Sequence, residues 1–173
     1  MCVDYYLRYA VLRNKSLVPL SRQHQHALAL CVRIERASPI RTADLSAWQS
    51  EIAQHFKNEI RIHFAAEESV LFPVARRFEA LNDLVDDLIK DHGLLRDNFA
   101  EAERGKMFAT ALSAFARLMS VHIRKEERQL FERLQELMNN DDLASLGRAL
   151  DDALKGVEQA CILPTETTRL RTR

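Results

Sequence analysis

Apolar residues recur every three or four positions along most of the chain, which is the spacing of amphipathic α-helices. The pattern predicts four long helices and one shorter helix, at about 20–37, 44–79, 82–104, 106–138 and 141–155. Long helices with short connections favour an antiparallel arrangement in which each helix packs beside the next. We therefore predict an all-α protein, an antiparallel up-down-up-down four-helix bundle with a short extra C-terminal helix.

Helix-breaking and helix-capping residues support these boundaries. Ser21 and Asp44 are the expected N-caps of the first two helices, and Ser38-Pro39 ends the first. Pro73 is expected to kink the second helix or to mark its last turns, and Gly105 ends the third. The whole chain contains only 4 Gly and 4 Pro, which favours a few long helices over many short strands.

An internal repeat of ten residues is the strongest signal in the sequence. Residues 63–72 and 122–131 both follow H-x-x-x-E-E-x-x-L-F, with five identities in ten positions. The predicted helix before each copy carries a further histidine, His24 in the first case and His92 in the second. The chain therefore indicates two helical hairpins, each with a lone histidine and a His-x-x-x-Glu pair, which can pack around a pseudo-twofold axis.

The spacing within the repeat suits a metal ion. Residues four apart lie on one helix face, roughly 6 Å from each other, so His63 and Glu67 reach the same small volume. His122 and Glu126 do the same in the second copy. A carboxylate can bridge two ions while each imidazole binds one, and four histidines with two carboxylates suit two iron ions.

The apolar stripes of the helices support the same site independently. Four of the six histidines share these stripes: His24, His63, His92 and His122. A single buried histidine is more often a hydrogen-bonded core residue than a ligand. However, Glu67 and Glu126 lie in the same stripes, and a buried carboxylate requires partners. A pair of metal ions supplies those partners. The occurrence of the same His-x-x-x-Glu spacing in both copies of the repeat favours ligands over hydrogen-bonded core residues.

The remaining polar residues near the repeat are placed outside the site. His26 and His55 have polar neighbours at helical spacing, so both are expected on the surface. Glu68 and Glu127 stand five positions after a histidine, and we expect them to face solvent or to lie in an outer shell. Glu59 is expected in an outer shell or on the surface. The Leu-Phe pair that ends each copy is expected to pack in the core.

These residues resemble the haemerythrin-like, His-His-Glu cation-binding family over about residues 20–137. The resemblance implies a pair of iron ions bridged by carboxylates and by an oxo or hydroxo group. It implies six metal ligands: His24, His63, Glu67, His92, His122 and Glu126. We expect a lead segment at 1–19, a haemerythrin-like metal-binding bundle at 20–156 and a C-terminal tail at 157–173. The polar part of this tail, after Leu163, is expected to be frayed.

Two departures separate this chain from the oxygen-carrying haemerythrins. Those proteins have a second histidine four residues after the third-helix histidine, where this chain has Arg96, and an arginine cannot bind iron. We expect Arg96 either beside the centre or turned outward to pair with a surface acid. Those proteins also have Asp five residues after the fourth-helix histidine, whereas Glu126 stands at four. The chain looks more like the bacterial branch linked to nitric oxide, oxidative stress and iron-centre repair.

The same residues weigh against other metalloproteins. Ferritin-like di-iron proteins place Glu three residues before His, and no histidine here has that neighbour. The His-Glu-x-x-His zinc protease motif is also absent from the sequence.

We expect a protein that binds or senses oxygen, nitric oxide or peroxide, or handles iron. The alternative is a di-iron enzyme that acts on peroxide or nitric oxide or repairs iron centres. The sequence has no flavin, nicotinamide or thiol-pair motif, which favours binding.

Charge and cysteine content narrow the expected partners and compartment. Lys and Arg total 25 and Asp and Glu total 25, so the zero net charge argues against a nucleic-acid or acidic-membrane partner. Cys2, Cys31 and Cys161 form no Cys-x-x-Cys pair and no even-numbered disulfide framework. A reducing cytoplasm is the expected location. Neither a signal peptide nor a transmembrane segment is predicted.

Overall fold

The computed structural model describes residues 13–156 and 164–169, and in this part of the chain every regular element is helical. Five helices follow one another. Helix α1 is Val18–Ala37; α2 is the continuous run Leu45–His55, Phe56–Ile60, Arg61–Ala66, Glu67–Leu71 and Phe72–Ala75; α3 is Asn82–Glu103; α4 is the continuous run Ala109–Lys125, Glu126–Leu130 and Phe131–Leu137; α5 is Asn140–Ala153. Short 3₁₀ turns, Thr42–Asp44 and Glu79–Leu81, lead into α2 and α3.

The helices form a bundle with one additional helix. Helix α1 packs along α4, α2 packs along α3, and α3 packs along α4. Helix α5 packs against the second half of α2, chiefly the segment Glu67–Leu71. The predicted all-α bundle with an extra C-terminal helix is therefore confirmed. None of the described helices has both the length and the apolar character needed to cross a bilayer.

The observed boundaries differ from the predicted ones at several helix ends, most at the end of α2 and at the start of α4. Helix α1 begins at Val18 with Leu17 as its N-cap, so Ser21 lies inside the first turn and the predicted cap is wrong. Pro19 is the better start signal, because proline is favoured in the first helical turn, where its missing N–H costs nothing. Pro73 lies in the last segment of α2, which confirms that it marks the final turn, and α2 ends at Ala75.

Two segments outside the five helices pack against the bundle. The predicted lead segment falls largely on residues 1–12, outside the described part of the chain. Arg13, however, contacts α4 through the side chain of Glu127. The tail was expected to be frayed, yet Thr168 is only 1% exposed. Its carbonyl accepts a hydrogen bond from Arg33 of α1 at 3.1 Å, and this contact corrects the expectation for the described residues 164–169.

The hydrophobic core is divided into two apolar clusters along the bundle axis. On α3, Leu88 belongs to one cluster and Leu95 to the other, and His92 stands midway between them. His24 occupies the same intermediate position on α1. The polar centre is therefore held between two packed apolar layers, which fix the helices that carry it and keep bulk water away.

Candidate metal centre

The two predicted glutamate ligands each open a π-helical segment. Glu67 begins the segment Glu67–Leu71 of α2, and Glu126 begins Glu126–Leu130 of α4. A π-helical turn holds more residues than an α-helical turn, so it changes the direction in which the following side chains point. Short π-helical segments within α-helices occur frequently at functional sites. The sequence repeat is thus also a repeat of backbone structure.

All six predicted ligand residues meet at the middle of the bundle. Each has a relative exposure of 2% or less. One group of four offers ligand atoms that all lie within 4.8 Å of one another: His24, His63, Glu67 and Glu126. In this group the Nε2 atoms of His24 and His63 are 3.1 Å apart. His63 Nε2 also lies 3.1 Å from Glu67 Oε1. We refer to this group as the first tetrad.

A second tetrad shares both carboxylates with the first. It consists of Glu67, His92, His122 and Glu126, whose ligand atoms again lie within 4.8 Å of one another. His92 Nε2 is 3.4 Å from Glu67 Oε2, whereas His63 contacts the other oxygen of this carboxylate. Glu126 Oε2 lies 3.3 Å from His122 Nε2 and 3.1 Å from His24 Nε2. Each carboxylate therefore stands between the two histidine pairs, as a bridging ligand must.

Several buried donor atoms of the centre have no hydrogen-bond partner in the described part of the chain, and a bound cation would serve as their partner. Among the described residues, both carboxylate oxygens of Glu67 and of Glu126 are buried without a hydrogen-bond partner. The Nε2 atoms of His92 and His122 are buried and unpaired as well. Each buried unsatisfied polar group costs about 1–3 kcal/mol, and a charged group costs more. Imidazole nitrogens and carboxylate oxygens are suitable ligands for iron and zinc, so the residues fit a metal centre.

Charge interactions in the metal-free centre shift the pKa values of its members in opposite directions. Burial lowers the pKa of His24, but the nearby carboxylates of Glu126, Glu127 and Glu67 outweigh it and raise that pKa well above its ordinary value. Burial also opposes ionisation of Glu67, yet His63, His24 and His92 hold the pKa of this carboxyl well below its usual range. A proton on His24 therefore helps to balance the ionised Glu67 when no metal is present. Metal ions compete with protons for the ring nitrogens, so metal binding weakens as the pH falls.

The lone histidines are oriented by carboxylates from the opposite hairpin. His24 Nδ1 lies 2.7 Å from Glu127 Oε1, and His92 Nδ1 lies 2.7 Å from Glu68 Oε1. The side chains of Glu68 and Glu127 are 32% and 24% exposed. They occupy the outer shell, which was one of the two expected positions. The remaining nitrogen of each ring, Nε2, faces the tetrads.

The repeat histidines have neighbours that the sequence interpretation missed. His63 Nδ1 lies 2.7 Å from Gln23 Oε1, which orients this ring. His122 Nδ1 lies 3.6 Å from Asp91 Oδ2, a charge contact without a hydrogen bond. Burial raises the pKa of Asp91, but His122 and Lys125 outweigh it, and the pKa of this carboxyl is lowered. Gln23 and Asp91 each directly precede a lone histidine. Their equivalent positions in the two hairpins were the signal that could have identified them.

Arg96 takes the outward position of the two that were expected. It forms an ion pair with Glu68, with nitrogen–oxygen distances of 2.8 and 2.9 Å. Its Cζ atom lies 5.5 Å from the centroid of the Phe64 ring, and its side chain is 41% exposed. The acid that it pairs with is not an unrelated surface residue, because Glu68 in turn contacts His92.

The excluded histidines behave differently from each other. His26 has a side chain that is 67% exposed, and its Nδ1 lies 3.0 Å from Glu59 Oε1. His55 is only 5% exposed, so its predicted surface position is wrong. The polar neighbours that suggested a surface, Glu51 and Glu59, are themselves buried, because Arg33 pairs with Glu51 and His26 with Glu59. Burial lowers the pKa of His55 despite the nearby Glu59.

The two excluded histidines should therefore contribute to stability but not to metal binding. His26→Ala and His55→Ala should both leave the metal content unchanged, because neither residue belongs to a tetrad. Both substitutions should lower the free energy of unfolding by about 1–3 kcal/mol. His55→Ala removes a buried side chain, and His26→Ala takes a hydrogen-bond partner from the buried carboxylate of Glu59. Metal analysis and urea titration of both variants measure these effects. Metal loss in His26→Ala, with metal retained in His24→Ala, would mean that helix α1 turns His26, and not His24, toward the metal centre.

Aromatic rings close the centre on several sides. The rings of Phe64 and His92 are stacked with centroids 3.8 Å apart, and those of Phe131 and His24 are stacked at 5.6 Å. Phe72 lies 5.4 Å from His92. The Leu-Phe pairs of the repeat are at most 1% exposed, as expected for core residues. Aromatic surface thus covers the rings of His92 and His24 beside their donor atoms.

The fold and the site together define a helical-bundle protein built to bind metal cations between two hairpins. The family model for the hemerythrin HHE cation binding domain matches residues 18–134. This span is more than half of the chain, and the protein belongs to that family. Neither the comparison with curated proteins nor the comparison with solved structures found a match.

Proposed function

We propose that the protein holds two iron ions, one in each tetrad, and binds or senses a small molecule such as oxygen, nitric oxide or peroxide. The observation that carries this proposal is the sharing of Glu67 and Glu126 by two histidine pairs. Two separate single-metal sites would not require both carboxylates to face both pairs. The distances from Glu67 to His63 and to His92, 3.1 and 3.4 Å, support a carboxylate that bridges.

The donor set supports iron over the alternatives. Each tetrad combines two imidazoles with carboxylate oxygens, which is the ligand combination of non-haem iron sites that keep positions open for a small molecule. A structural zinc site would instead be closed by four ligands, most often including cysteine thiolates. Cys31, although buried, is not a member of either tetrad.

The surroundings of the tetrads support a small ligand of low polarity. Phe64 and Phe131 stack on two of the proposed ligands, and Phe72 lies near His92. These rings line the centre with apolar surface and provide no hydrogen-bonding groups, which suits a compact ligand better than a larger polar substrate. When bound, the iron pair would supply the affinity for a diatomic ligand or peroxide. The chain's own residues orient the donors and exclude bulk water.

Metal analysis tests the proposal directly. Protein produced with ample iron should contain about two iron atoms per chain, the number implied by one carboxylate-bridged pair. Its ultraviolet-visible spectrum should change on reduction and again on exposure to nitric oxide or azide. One zinc per chain, with no charge-transfer absorption and no response to gas, would contradict the di-iron proposal and favour a structural zinc site.

Turnover separates binding from catalysis. A binding or sensing protein should change its spectrum with nitric oxide or peroxide in the stoichiometry of the centre. It should not consume either compound continuously in the presence of a reductant. Sustained consumption that depends on Glu67 would instead establish the alternative, a di-iron enzyme acting on peroxide or nitric oxide.

A further inference from the structure

The second glutamate of each repeat connects the two hairpins at the centre. Glu68 follows Glu67 on α2, but its carboxylate contacts His92 on α3 at 2.7 Å. Glu127 follows Glu126 on α4, and its carboxylate contacts His24 on α1, also at 2.7 Å. Each hairpin therefore supplies the outer carboxylate for the lone histidine of the other hairpin. This exchange explains why the repeat contains two adjacent glutamates when one is enough for the tetrads.

An arginine fixes each of these carboxylates from the outside. Arg96 pairs with both oxygens of Glu68, at 2.8 and 2.9 Å. Arg13 Nη2 donates to Glu127 Oε2 and to the Glu127 carbonyl, each at 2.7 Å. The backbone carbonyl belongs to the π-helical segment Glu126–Leu130, so Arg13 binds both the side chain and the irregular backbone that positions it.

The two arginines also pack over the aromatic rings that stack on the same histidines. The Cζ atom of Arg96 lies 5.5 Å from the Phe64 ring centroid, and the Phe64 ring stacks on His92. The Cζ atom of Arg13 lies 5.1 Å from the Phe131 ring centroid, and the Phe131 ring stacks on His24. A guanidinium above an aromatic face is attracted to the ring, which restricts the arginine further.

We propose that Arg96 and Arg13 are positioning residues of the metal centre, which act through Glu68 and Glu127 on His92 and His24. The inference rests on the proposed metal function of the same site. An ionised carboxylate can only accept hydrogen bonds, so the Nδ1 atom that faces it must carry the proton. The Nε2 atom of that ring is then left with its lone pair for a metal ion. Each arginine–glutamate pair thereby selects the ring orientation and the tautomer that metal binding needs.

The arginines are not related to each other by the repeat. Arg96 stands four residues after His92 on α3, whereas Arg13 precedes α1 by five residues and reaches across to α4. The repeated sequence supplies both carboxylates, and two unrelated positions supply the cations. The segment before α1 consequently contributes Arg13 to the surroundings of the metal centre.

Substitutions of each arginine and its glutamate test this role. Glu68→Ala should weaken metal binding by about 10- to 100-fold, the usual effect of losing an outer-shell partner, and Arg96→Ala by about tenfold. Arg13→Ala should resemble Arg96→Ala. Arg96→Lys should restore only part of the affinity, because lysine keeps the charge but loses the two-pronged contact.

Glu68→Gln keeps the shape and an accepting oxygen, and it shows whether Glu68→Ala acts through misfolding. Arg22→Ala, an exposed position on α1, is the matched control and should have no effect.

Two measurements on each variant decide the outcome. Competition with a chelator gives the affinity for Zn²⁺ and for Fe²⁺. Nitrogen-15 NMR of the Zn²⁺ form shows which ring nitrogen of His24 and His92 carries the proton, and a merely structural role would not change that. Arg96→Ala and Glu68→Ala proteins with wild-type affinity and an unchanged His92 tautomer would overturn the positioning role and leave the proposed function standing. A wild-type chain that holds no metal would overturn both.

Discussion

Glu67→Gln should remove metal from both halves of the centre. The carboxylate of Glu67 lies 3.1 Å from His63 Nε2 on one side and 3.4 Å from His92 Nε2 on the other. Glutamine keeps the size of the side chain but is neutral, so it cannot bridge two cations. We expect the affinity to fall by more than about 100-fold, the upper end of the effect of outer-shell changes, because Glu67 is a proposed direct ligand of both ions.

Metal content after purification, measured for this variant beside the wild type, checks the expectation. Glu126→Gln should behave in the same way, because Glu126 belongs to both tetrads. Glu103→Gln is the matched control, since Glu103 is an exposed glutamate at the end of α3. Retention of one metal ion by Glu67→Gln would show that the two tetrads bind independently and that the shared carboxylate does not bridge them.

Removing metal from the wild-type protein should lower its stability strongly. Without a cation, the carboxylates of Glu67 and Glu126 are buried among histidines, and their oxygens have no hydrogen-bond partner among the described residues. A ligand that binds only the folded chain stabilises it by about 4 kcal/mol when its concentration is 1,000 times Kd. For a chain of 173 residues this corresponds to roughly 8–16 °C in Tm. Thermal unfolding with added iron and with added chelator measures the difference.

The Glu67→Gln variant provides the control for this effect. Its unfolding midpoint should be the same with iron and with chelator, because it has lost the shared ligand. The metal-induced difference in the wild type should also shrink as the pH is lowered, since protons displace metal from the imidazoles. Equal midpoints for the wild type in both conditions, at a metal load of about two per chain, would mean that the apolar clusters stabilise the bundle without help from the centre.

The sequence by itself determined the helices and the composition of the two tetrads. Four-residue spacing puts His63 beside Glu67 and His122 beside Glu126 whatever the rest of the chain does, because it depends only on helix geometry. The repeated frame then indicated that both pairs serve one centre. The apolar stripes located the lone histidines, and the structure brings all six residues together. These features are local or periodic, and periodic patterns are visible in a sequence.

Tertiary structure alone decided which groups surround the tetrads. His55 is buried because Arg33 and His26 from another helix pair with the acids beside it, and no local pattern contains that information. Glu68 and Glu127 reach histidines of the opposite hairpin, and Arg13 reaches α4 across 114 residues of chain. Such partners are chosen by the way that the hairpins pack, and a polar residue looks the same in sequence whether it meets water or a distant charge.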